Sequence, residues 1–475
     1  MPHVKELPEI KRVYLIGIGG TAMASLAGML KERGYEVGGS DEHVYPPMST
    51  YLERLHIRVL EGYTKDHLLT FRPDLVVVGN VASPTNAEAA ATVELDLPYT
   101  SMPEAIYELF IKGKHSIVVT GTHGKTTTTS LMAWILEAAG RDPSMVVGGI
   151  PINFNQNYKL GDGADFVIEG DEYNTAFFDK GPKFLHYRAN TLIVNNVEFD
   201  HADIYADLGA IIEAFRKAVR AVAPEDTIIA NGDDANVVSL RNDAKARWLT
   251  FGWQRTRDVF AADEELTPEG TSFTAWWEGK EWFRFHTTLS GRHNVLNALA
   301  DAATARLRGL SAEEIQKGLA SFQGIKRRME VRGVERGVTV IDDFAHHPTA
   351  IATTLDGARK RYPGRRIWAL FEPRSISSSR KEFESGYIEA FREADRVVVG
   401  PIFHRDRYET RYGLDKMMSV PAILDSLDGR GVQIDDFDDI ARFVAAEAQD
   451  GDVVIVMSSG AFGGVHEKIL ERLRA

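Results

Sequence analysis

The sequence contains no cysteine among its 475 residues. This absence excludes disulfide bonds, thiolate nucleophiles and cysteine-ligated metal sites. No run of about 18 apolar residues occurs, so the sequence predicts no membrane-spanning helix. The N-terminal segment is polar and lacks the apolar core of a secretion signal. Together these absences favour a soluble protein of the cytoplasm.

Basic side chains are also in deficit, since 55 Lys and Arg residues stand against 68 Asp and Glu residues, a formal net charge of −13. Non-specific binding to nucleic acid or to anionic membranes needs a basic surface, so the composition argues against both. It still allows an anionic small substrate held in a local basic pocket. The hydrophobic fraction of 44% is high enough for folded cores, and the length predicts about three domains.

Short apolar segments alternate with segments of helical periodicity along most of the chain, which predicts an α/β protein with parallel sheets. Domain boundaries are predicted near residues 111–114 and 321–326. Between Trp248 and Leu289, aromatic and β-branched residues with glycine turns predict antiparallel strands instead.

The sharpest motif is GTHGKT, Gly121–Thr126, between an apolar strand and a helix. Such a loop turns backbone N–H groups and a helix N-terminus toward phosphate oxygens. Lys125 would reach the terminal phosphates, and the Thr126 hydroxyl would ligate Mg²⁺. The strict P-loop pattern requires glycine where this chain has Val119. The alternative is a glycine-rich turn with a solvated lysine.

Two further strands end in polar residues that carry metal-ligand chemistry. Glu169 ends the strand of FVIEGDE, and Asp200 and His201 follow the strand of TLIVNNVEF. Ligands of parallel sheets bind beyond the carboxyl ends of the strands, so both motifs should approach the phosphate loop. Glu169 suits Mg²⁺, and His201 suits a second divalent ion. The alternatives are helix caps and a hydrogen-bonded loop histidine.

Two motifs in the second half of the chain are candidates for nucleotide contacts. Asn294 and Asn297 share one helix face and could hydrogen-bond adenine, although Asn294 could equally cap the helix. Asp343 and His346 follow a strand in VIDDFAHHPT and could contact a metal, ribose or phosphate, or cap the next helix.

Two arginines are candidates for binding anionic groups. Arg328, with Arg327 beside it, could clamp phosphate when domains close, or be surface charge. Arg374 in FEPRS could hold a carboxylate through two hydrogen bonds, or form a surface ion pair.

Near the N-terminus, Gly17–Ala22 fits the pattern G-x-G-x-x-A after a strand, and Asp41 follows about twenty residues later. This fingerprint indicates a pyrophosphate at a helix N-terminus. The pyrophosphate could belong to NAD, to FAD or to a UDP-sugar. A nicotinamide-dependent oxidoreductase is therefore an alternative, as is a nucleotide switch without chemistry, but the first leaves Lys125 without a role.

The order of GIGG, GTHGKTTT, EGDE, DH, GRHNVLN, KRR and DDFAHHPT resembles the Mur ligase family over nearly the whole chain. The resemblance implies a Rossmann-like N-terminal domain (1–112) that binds a UDP-sugar and a P-loop ATPase-like central domain (113–322) with added antiparallel strands. It also implies a Rossmann-like C-terminal domain (323–475) that closes on ATP and binds the incoming peptide.

The resemblance also implies the roles of individual residues. Catalysis is assigned to Lys125, Glu169 and His201, metal binding to Thr126, Glu169 and His201, and peptide binding to Arg374. The remaining implied contacts are with ATP, by Gly121, Thr122, His123, Gly124, Lys125, Thr126, Thr127, Asn294, Asn297, Arg328, Asp343 and His346, and with the UDP-sugar, by Gly17, Gly19, Gly20, Thr21, Ser40, Asp41 and Asn80.

Within the family, YPPMS, DEYNTAFFDK, EFDHADIY and FEPRS are similar to the branch that joins L-alanyl-γ-D-glutamyl-meso-diaminopimelate to UDP-N-acetylmuramate in peptidoglycan recycling. The implied reaction uses ATP and Mg²⁺ and passes through an acyl phosphate. The alternative is addition of free L-alanine, whose enzymes typically carry a Q-P-H-R run with further arginine. This chain has Glu372-Pro-Arg-Ser at that point.

Overall fold

The structure is a computed structural model that describes residues 9–44, 48–200, 204–267, 269–374, 377–403 and 405–474. Three sheets built mainly of parallel strands follow one another along the chain, and a two-stranded ribbon accompanies the middle one. The α/β fold of three domains predicted from the sequence is confirmed. In the part of the chain that the structure describes, no helix has the length and apolar character that a membrane crossing needs.

The first domain is a five-stranded parallel sheet in the order β3-β2-β1-β4-β5. Its order changes direction beside β1, and ligands of doubly wound sheets bind at that point. The strands are β1 (Arg12–Ile16), β2 (Glu36–Asp41), β3 (Arg58–Glu61), β4 (Leu75–Val78) and β5 (Tyr99–Ser101); the helices are α1 (Thr21–Glu32), α2 (Met48–Arg54), α3 (Lys65–Phe71), α4 (Ala87–Glu94) and α5 (Met102–Ile106).

The middle domain carries a ten-stranded sheet in the order β17-β16-β15-β14-β13-β12-β6-β9-β7-β8, with the ribbon β10–β11 beside it. The strands are β6 (His115–Thr120), β7 (Ser144–Val146), β8 (Tyr158–Lys159), β9 (Asp165–Glu169), β10 (Asn174–Ala176), β11 (Asp179–Pro182), β12 (Thr191–Val194), β13 (Thr227–Asn231), β14 (Arg247–Gly252), β15 (Val259–Thr267), β16 (Gly270–Trp277) and β17 (Lys280–Thr287); the helices are α6 (Lys125–Ala138), α7 (Leu208–Ala221), α8 (Ala235–Ser239), α9 (Arg292–Leu307) and α10 (Ala312–Ser321).

The segment from Trp248 to Leu289 differs in part from its predicted antiparallel arrangement. β15, β16 and β17 are antiparallel, as expected. β14 instead runs parallel to β13, and β15 begins parallel to β14. The prediction was therefore wrong for the first strand, because aromatic and β-branched composition favours a strand without fixing its direction.

The third domain is a six-stranded sheet in the order β18-β19-β23-β20-β21-β22, in which only β18 is antiparallel to its neighbour. β20 and β23 are buried along their whole length, as expected for strands covered by helices on both faces. The strands are β18 (Glu330–Glu335), β19 (Val338–Asp343), β20 (Ile367–Phe371), β21 (Arg396–Val399), β22 (Gly431–Gln433) and β23 (Val453–Met457); the helices are α11 (Pro348–Arg361), α12 (Glu384–Phe391), α13 (Arg405–Tyr412), α14 (Val420–Asp425), α15 (Phe437–Glu447) and α16 (Val465–Arg474).

The connection between the middle and third domains, residues 322–329, is held against the middle domain. Ile325 pairs with Pro151 in an isolated β-bridge, and the Lys326 N–H donates to the carbonyl of Ile150 at 3.0 Å. Arg327 and Met329 then adopt left-handed backbone conformations, with φ of 61° and 49°. The chain therefore changes direction sharply just before β18.

Candidate active site

A cavity of about 840 Å³ lies between the middle and third domains. Ligand pockets of this size commonly form between domains. The phosphate loop, the first turn of α9, the domain connection and α11 all contribute to its wall. Among the predicted nucleotide-contacting residues, those that line the cavity are His123, Gly124, Thr127, Asn294, Asn297, Arg328 and Asp343.

The phosphate loop joins β6 to α6 and leaves the helix N-terminus open. Gly124 precedes the helix with φ of 83°, and no side chain caps α6. A Cβ at Gly124 would lie 2.9 Å from Asn297 Oδ1, so both the conformation and the space require glycine. Asn196 holds the loop, because its Oδ1 accepts from the His123 N–H at 2.7 Å. The arrangement suits an anion at the start of α6.

Lys125 is held within the phosphate loop by Glu172. Its Nζ donates to Glu172 Oε1 at 3.0 Å and Oε2 at 2.9 Å, and also to the carbonyls of Gly121 and Thr122. Burial alone would lower the pKa of Lys125, but the charges of Glu172 and Asp171 outweigh it and raise the pKa. Lys125 therefore stays charged. This pairing could not be identified from the sequence, since Glu172 is one of several acidic residues that follow β9.

Thr126 and Glu169 meet at the ends of neighbouring elements. The Thr126 Oγ1 donates to Glu169 Oε1 at 3.1 Å, and the Gly148 N–H donates to Oε2 at 2.7 Å. Burial raises the pKa of Glu169, although Lys125 opposes the shift, so a cation would offset a real desolvation cost. A hydroxyl beside a carboxylate is a donor set that fits Mg²⁺. His201 lies outside the described residues.

Asn294 and Asn297 are brought together on the cavity face of α9. The Asn297 Nδ2 donates to Asn294 Oδ1 at 3.2 Å, and the Asn294 Nδ2 donates to the Ser290 carbonyl at 2.8 Å. Gly291 precedes the helix and no side chain caps it, so the capping interpretation of Asn294 was wrong. Burial lowers the pKa of His293, beside them in the cavity wall, to about 4, so this ring is neutral.

The three residues that the sequence assigned to ATP in this part of the chain differ in their position relative to the cavity. The Arg328 guanidinium lies 5.2 Å from the ring centre of Phe344 and lines the cavity. Asp343 is committed to the local fold, since it accepts from the N–H groups of Met329 at 2.7 Å and Ala345 at 2.8 Å. His346 is not part of the described cavity wall; burial lowers its pKa, and its Nδ1 lies 3.0 Å from the Phe344 carbonyl oxygen.

A histidine–glutamate cluster, His123, Glu198 and His347, joins the phosphate loop to the third domain. One ligand-type atom from each residue lies within 4.8 Å of the other two. The His123 Nε2 is 3.5 Å from Glu198 Oε2, and the two imidazole ring centres are 5.1 Å apart. Thr349 Oγ1 donates to Glu198 Oε2 at 2.9 Å. No spacing rule relates three such distant positions, so the sequence alone did not identify Glu198 and His347 as neighbours of His123.

The cluster contains imidazoles without full hydrogen bonding. Among the described residues, neither the His123 Nε2 nor the His347 Nε2 has a hydrogen-bond partner. Burial lowers the pKa of His347 to about 4, with His123 contributing to the shift. The adjacent His123 imidazole, whose Nε2 lies 3.5 Å from Glu198 Oε2, lowers the pKa of Glu198, with the hydrogen bond from Thr349 contributing. A neutral His347 ring thus lies near an ionised Glu198 carboxylate.

The N-terminal turn, Gly17–Thr21, carries no charged side chain. The N–H groups of Gly17 and Ile18 donate to the Ser40 carbonyl, and the Gly19 N–H donates to Asp41 Oδ2 at 2.8 Å. No side chain caps α1, which begins after Gly20.

The other residues predicted to contact a UDP-sugar differ in exposure. Ser40 is fully buried and its hydroxyl donates to the buried Glu88. Gly20, Thr21 and Asn80 are exposed. The UDP-sugar prediction for Ser40 therefore has to rest on its backbone.

Arg374 lies at the end of β20 in the third domain, away from the cavity wall described above. Its guanidinium lies 4.0 Å from the ring centre of Phe403, and its Nη1 is 3.6 Å from Glu372 Oε1. Glu372 is fully buried and accepts from the Ser458 hydroxyl at 2.5 Å. The Arg374 side chain is about one third exposed, so it can still meet a carboxylate from solvent.

Three family models match consecutive parts of the chain. The Mur ligase family catalytic domain matches residues 12–113, the Mur ligase middle domain matches 119–305, and the glutamate ligase domain of Mur ligases matches 327–460. The matched ranges follow the three sheets of the structure.

Individual relatives match over nearly the full length. The UDP-N-acetylmuramate–L-alanyl-γ-D-glutamyl-meso-2,6-diaminoheptandioate ligase of Escherichia coli K12 is 38% identical, with 97% of this chain and 98% of the relative covered. A UDP-N-acetylmuramate–L-alanine ligase of Caldanaerobacter subterraneus is 33% identical, with 98% of both covered. The crystal structure of a murein peptide ligase from Psychrobacter arcticus 273-4 superposes with a TM-score of 0.74 at 35% identity, covering 98% of this chain and 99% of that one.

Proposed function

Because this chain belongs to the Mur ligase family, we propose that it joins L-alanyl-γ-D-glutamyl-meso-diaminopimelate to UDP-N-acetylmuramate, converting ATP to ADP and phosphate. The relative from Escherichia coli that carries this activity in its name is 38% identical over nearly the whole chain. The L-alanine ligase discussed above is 33% identical. The substitution of Glu372-Pro-Arg-Ser for the basic run typical of L-alanine ligases favours the tripeptide.

One observation carries the ATP-dependent chemistry: the phosphate loop and the third domain line the same cavity. The uncapped start of α6 supplies positive charge at one end of it, and Lys125 is the first residue of that helix. Asn294 and Asn297 supply amide donors and acceptors at α9. Such a site suits a nucleotide whose triphosphate points to α6 and whose base points to α9.

The first chemical step brings two anions together. The carboxylate of UDP-N-acetylmuramate attacks the γ-phosphorus of ATP, the bond to the bridging oxygen breaks, and ADP leaves with the electron pair. Two unit charges about 4 Å apart repel by roughly 4 kcal/mol at an effective dielectric near 20. Lys125 and the N–H groups of α6 offset this repulsion and stabilise the transferring group.

The second step forms the amide. The neutral α-amine of the tripeptide attacks the acyl carbon, phosphate leaves with the C–O electron pair, and the amine nitrogen loses one proton. An acyl phosphate is easily hydrolysed, so closure of the third domain over the cavity serves to exclude water. Arg328, which stacks near Phe344 at the connection, is our candidate for a contact made on closure.

Thr126 and Glu169 are the residues that would hold Mg²⁺, and His201 remains our candidate for a second divalent ion. When bound, Mg²⁺ would supply positive charge to the phosphate oxygens. The chain's own contribution is to keep the hydroxyl and carboxylate oxygens 3.1 Å apart at the mouth of the loop. Glu172 keeps Lys125 charged beside them.

The remaining proposed roles are divided among the three domains. We assign residues 1–112 to UDP-sugar binding, 113–322 to ATP binding, and 323–475 to closure and peptide binding. Gly17–Thr21 and Asp41 would meet the UDP end, and Arg374 would meet a carboxylate of the peptide. Use of ATP supports a cytoplasmic location.

The function is tested by offering the purified protein UDP-N-acetylmuramate and Mg·ATP with either the tripeptide or L-alanine. We expect ADP release and a ligated product only when both the sugar nucleotide and the tripeptide are present. Faster turnover with L-alanine would assign the alternative activity instead. ADP release that needs neither acceptor would contradict the ligase proposal altogether.

A further inference from the structure

We propose that His123, Glu198 and His347 form a binding site for a transition-metal ion of the Zn²⁺ or Co²⁺ class, bridging the phosphate loop and the third domain. This site is separate from the Mg²⁺ ligands Thr126 and Glu169. The inference goes beyond the proposed function, and its test uses the protein without nucleotide, sugar or peptide.

The donor set matches the chemistry of such ions. Two imidazole nitrogens and one carboxylate are a set that Zn²⁺ uses at sites with an open coordination position. Mg²⁺ prefers oxygen ligands alone, so two imidazoles select against it. The cluster therefore discriminates between the nucleotide's usual counter-ion and a softer metal.

The distances suit an ion drawn in by a small movement. Ligand atoms around a tetrahedral Zn²⁺ lie about 3.4 Å apart, as follows from metal–nitrogen bonds of 2.0–2.1 Å. His123 Nε2 and Glu198 Oε2 already lie 3.5 Å apart. The full set spans up to 4.8 Å, so binding would draw the third domain closer to the phosphate loop.

Each imidazole of the cluster has a ring nitrogen that makes no hydrogen bond to the described residues and could bind a metal. His347 is only 8% exposed, and within the described parts of the chain its Nε2 has no hydrogen-bond partner. Its Nδ1 accepts a hydrogen bond from the Thr349 N–H at the long distance of 3.4 Å. A metal on Nε2 would place the ring proton on Nδ1, so this weak contact would be lost.

The carboxylate is already oriented for this role. Thr349 Oγ1 donates to Glu198 Oε2 at 2.9 Å, which is the kind of outer contact that fixes a metal ligand in place. His123 and Glu198 also line the nucleotide cavity, so the remaining coordination positions of the ion would be open to water or to an anionic ligand.

The test is titration of the full-length, EDTA-treated protein with Co²⁺ and with Zn²⁺, followed by visible absorption and by metal analysis after gel filtration. We expect one ion per chain and a Co²⁺ spectrum typical of four or five N/O ligands. H347Q and E198Q should each weaken binding by about 100-fold, and T349A by about tenfold. E198Q changes a side chain that is about one third exposed, so it stays informative if H347Q fails to fold.

His346→Gln is the matched control, because it removes the adjacent imidazole outside the cluster. E169Q is the second control, because it disables the Mg²⁺ ligand. Both should bind Co²⁺ like the unaltered protein. Stoichiometric binding that survives H347Q and E198Q, equal loss in H346Q, or no binding by the unaltered protein would each overturn the proposal. None of these outcomes depends on ligase activity.

Discussion

Two glycine-rich turns of the chain share one backbone arrangement but differ in the side chains that surround them. The turn at Gly17–Thr21 and the loop at Gly121–Thr126 each follow a buried strand and precede a helix that no side chain caps. In the first turn the charged side chain that contacts the backbone is Asp41, which accepts from the Gly19 N–H. In the second, Lys125 and Glu172 form a buried ion pair and Glu169 meets Thr126.

The difference separates binding from chemistry. A backbone turn with a helix N-terminus can hold a phosphate group that does not react, because its partial charges suffice for binding. Transfer of a phosphoryl group also needs positive charge that interacts more strongly with the transition state than with the bound substrate. Of the two turns, the second carries a lysine and a hydroxyl–carboxylate pair, Thr126 and Glu169, which we propose serve that purpose.

Removing the lysine should give the largest effect and tests the distinction directly. K125A should lower kcat at least about 1000-fold, equivalent to roughly 4 kcal/mol of lost transition-state stabilisation. Steady-state ADP release at saturating substrates measures it. Lys112→Ala, an exposed lysine at the end of the first domain, is the control. Activity of K125A within tenfold of the unaltered protein would contradict the role of the loop.

Glu169→Gln should give the second-largest effect. We expect kcat to fall by about 100-fold or more, because the proposed Mg²⁺ position loses its carboxylate. Raising the Mg²⁺ concentration should restore part of the activity. The control is Glu137→Gln, near the far end of α6, which should behave like the unaltered protein. A normal Mg²⁺ dependence in E169Q would assign the metal to other residues.

At the first turn, the expected change is in binding alone. D41N should raise the KM for UDP-N-acetylmuramate by about tenfold, equivalent to roughly 1.4 kcal/mol, and leave kcat unchanged. Asp66→Asn, an exposed acid in the same domain, should change neither parameter. A fall in kcat without a change in KM would show that the two turns are not divided between binding and chemistry.

A final prediction concerns how the free energy of unfolding depends on pH through one buried residue of α9. Asp301 on α9 is fully buried, its carboxylate oxygens have no hydrogen-bond partner among the described residues, and burial raises its pKa well above the usual value. The unfolded chain releases this proton near pH 4, so stability falls with rising pH by up to about 1.4 kcal/mol per pH unit until the folded pKa is reached.

Asp301→Asn removes this titration, so we expect a higher melting temperature than the unaltered protein at pH 7–8 and a difference that shrinks toward pH 4. Thermal unfolding across this pH range measures it. Asp66→Asn is again the exposed control. An equal difference at every pH would mean that Asp301 does not hold a proton in the folded protein.

The sequence predicted those parts of the site that follow from local spacing. The loop at Gly121–Thr126 and Glu169 at its strand end could be found because each lies where a parallel strand stops. The partner of Lys125 could not, since both Glu172 and Asp171 follow the same strand. In the structure Asp171 pairs with Lys183 and leaves Glu172 for Lys125.

Contacts between domains were beyond the reach of sequence patterns. Thr349 and Glu198 are 151 positions apart, and their hydrogen bond depends on how the third domain meets the middle one. Strand pairing within a domain is a second long-range property. β14 was predicted as a strand but given the wrong direction, because its direction depends on the neighbouring strand β13.

The connection between the middle and third domains has a consequence for how inhibitors would act. Gly324, Ile325, Arg328 and Met329 form part of the cavity wall, and Gly324 and Met329 also have left-handed backbone angles where the chain passes into the third domain. A compound wedged against this corner would fix the angle between the two lobes. It would stop turnover while leaving the lysine, the carboxylates and the sugar-nucleotide turn untouched.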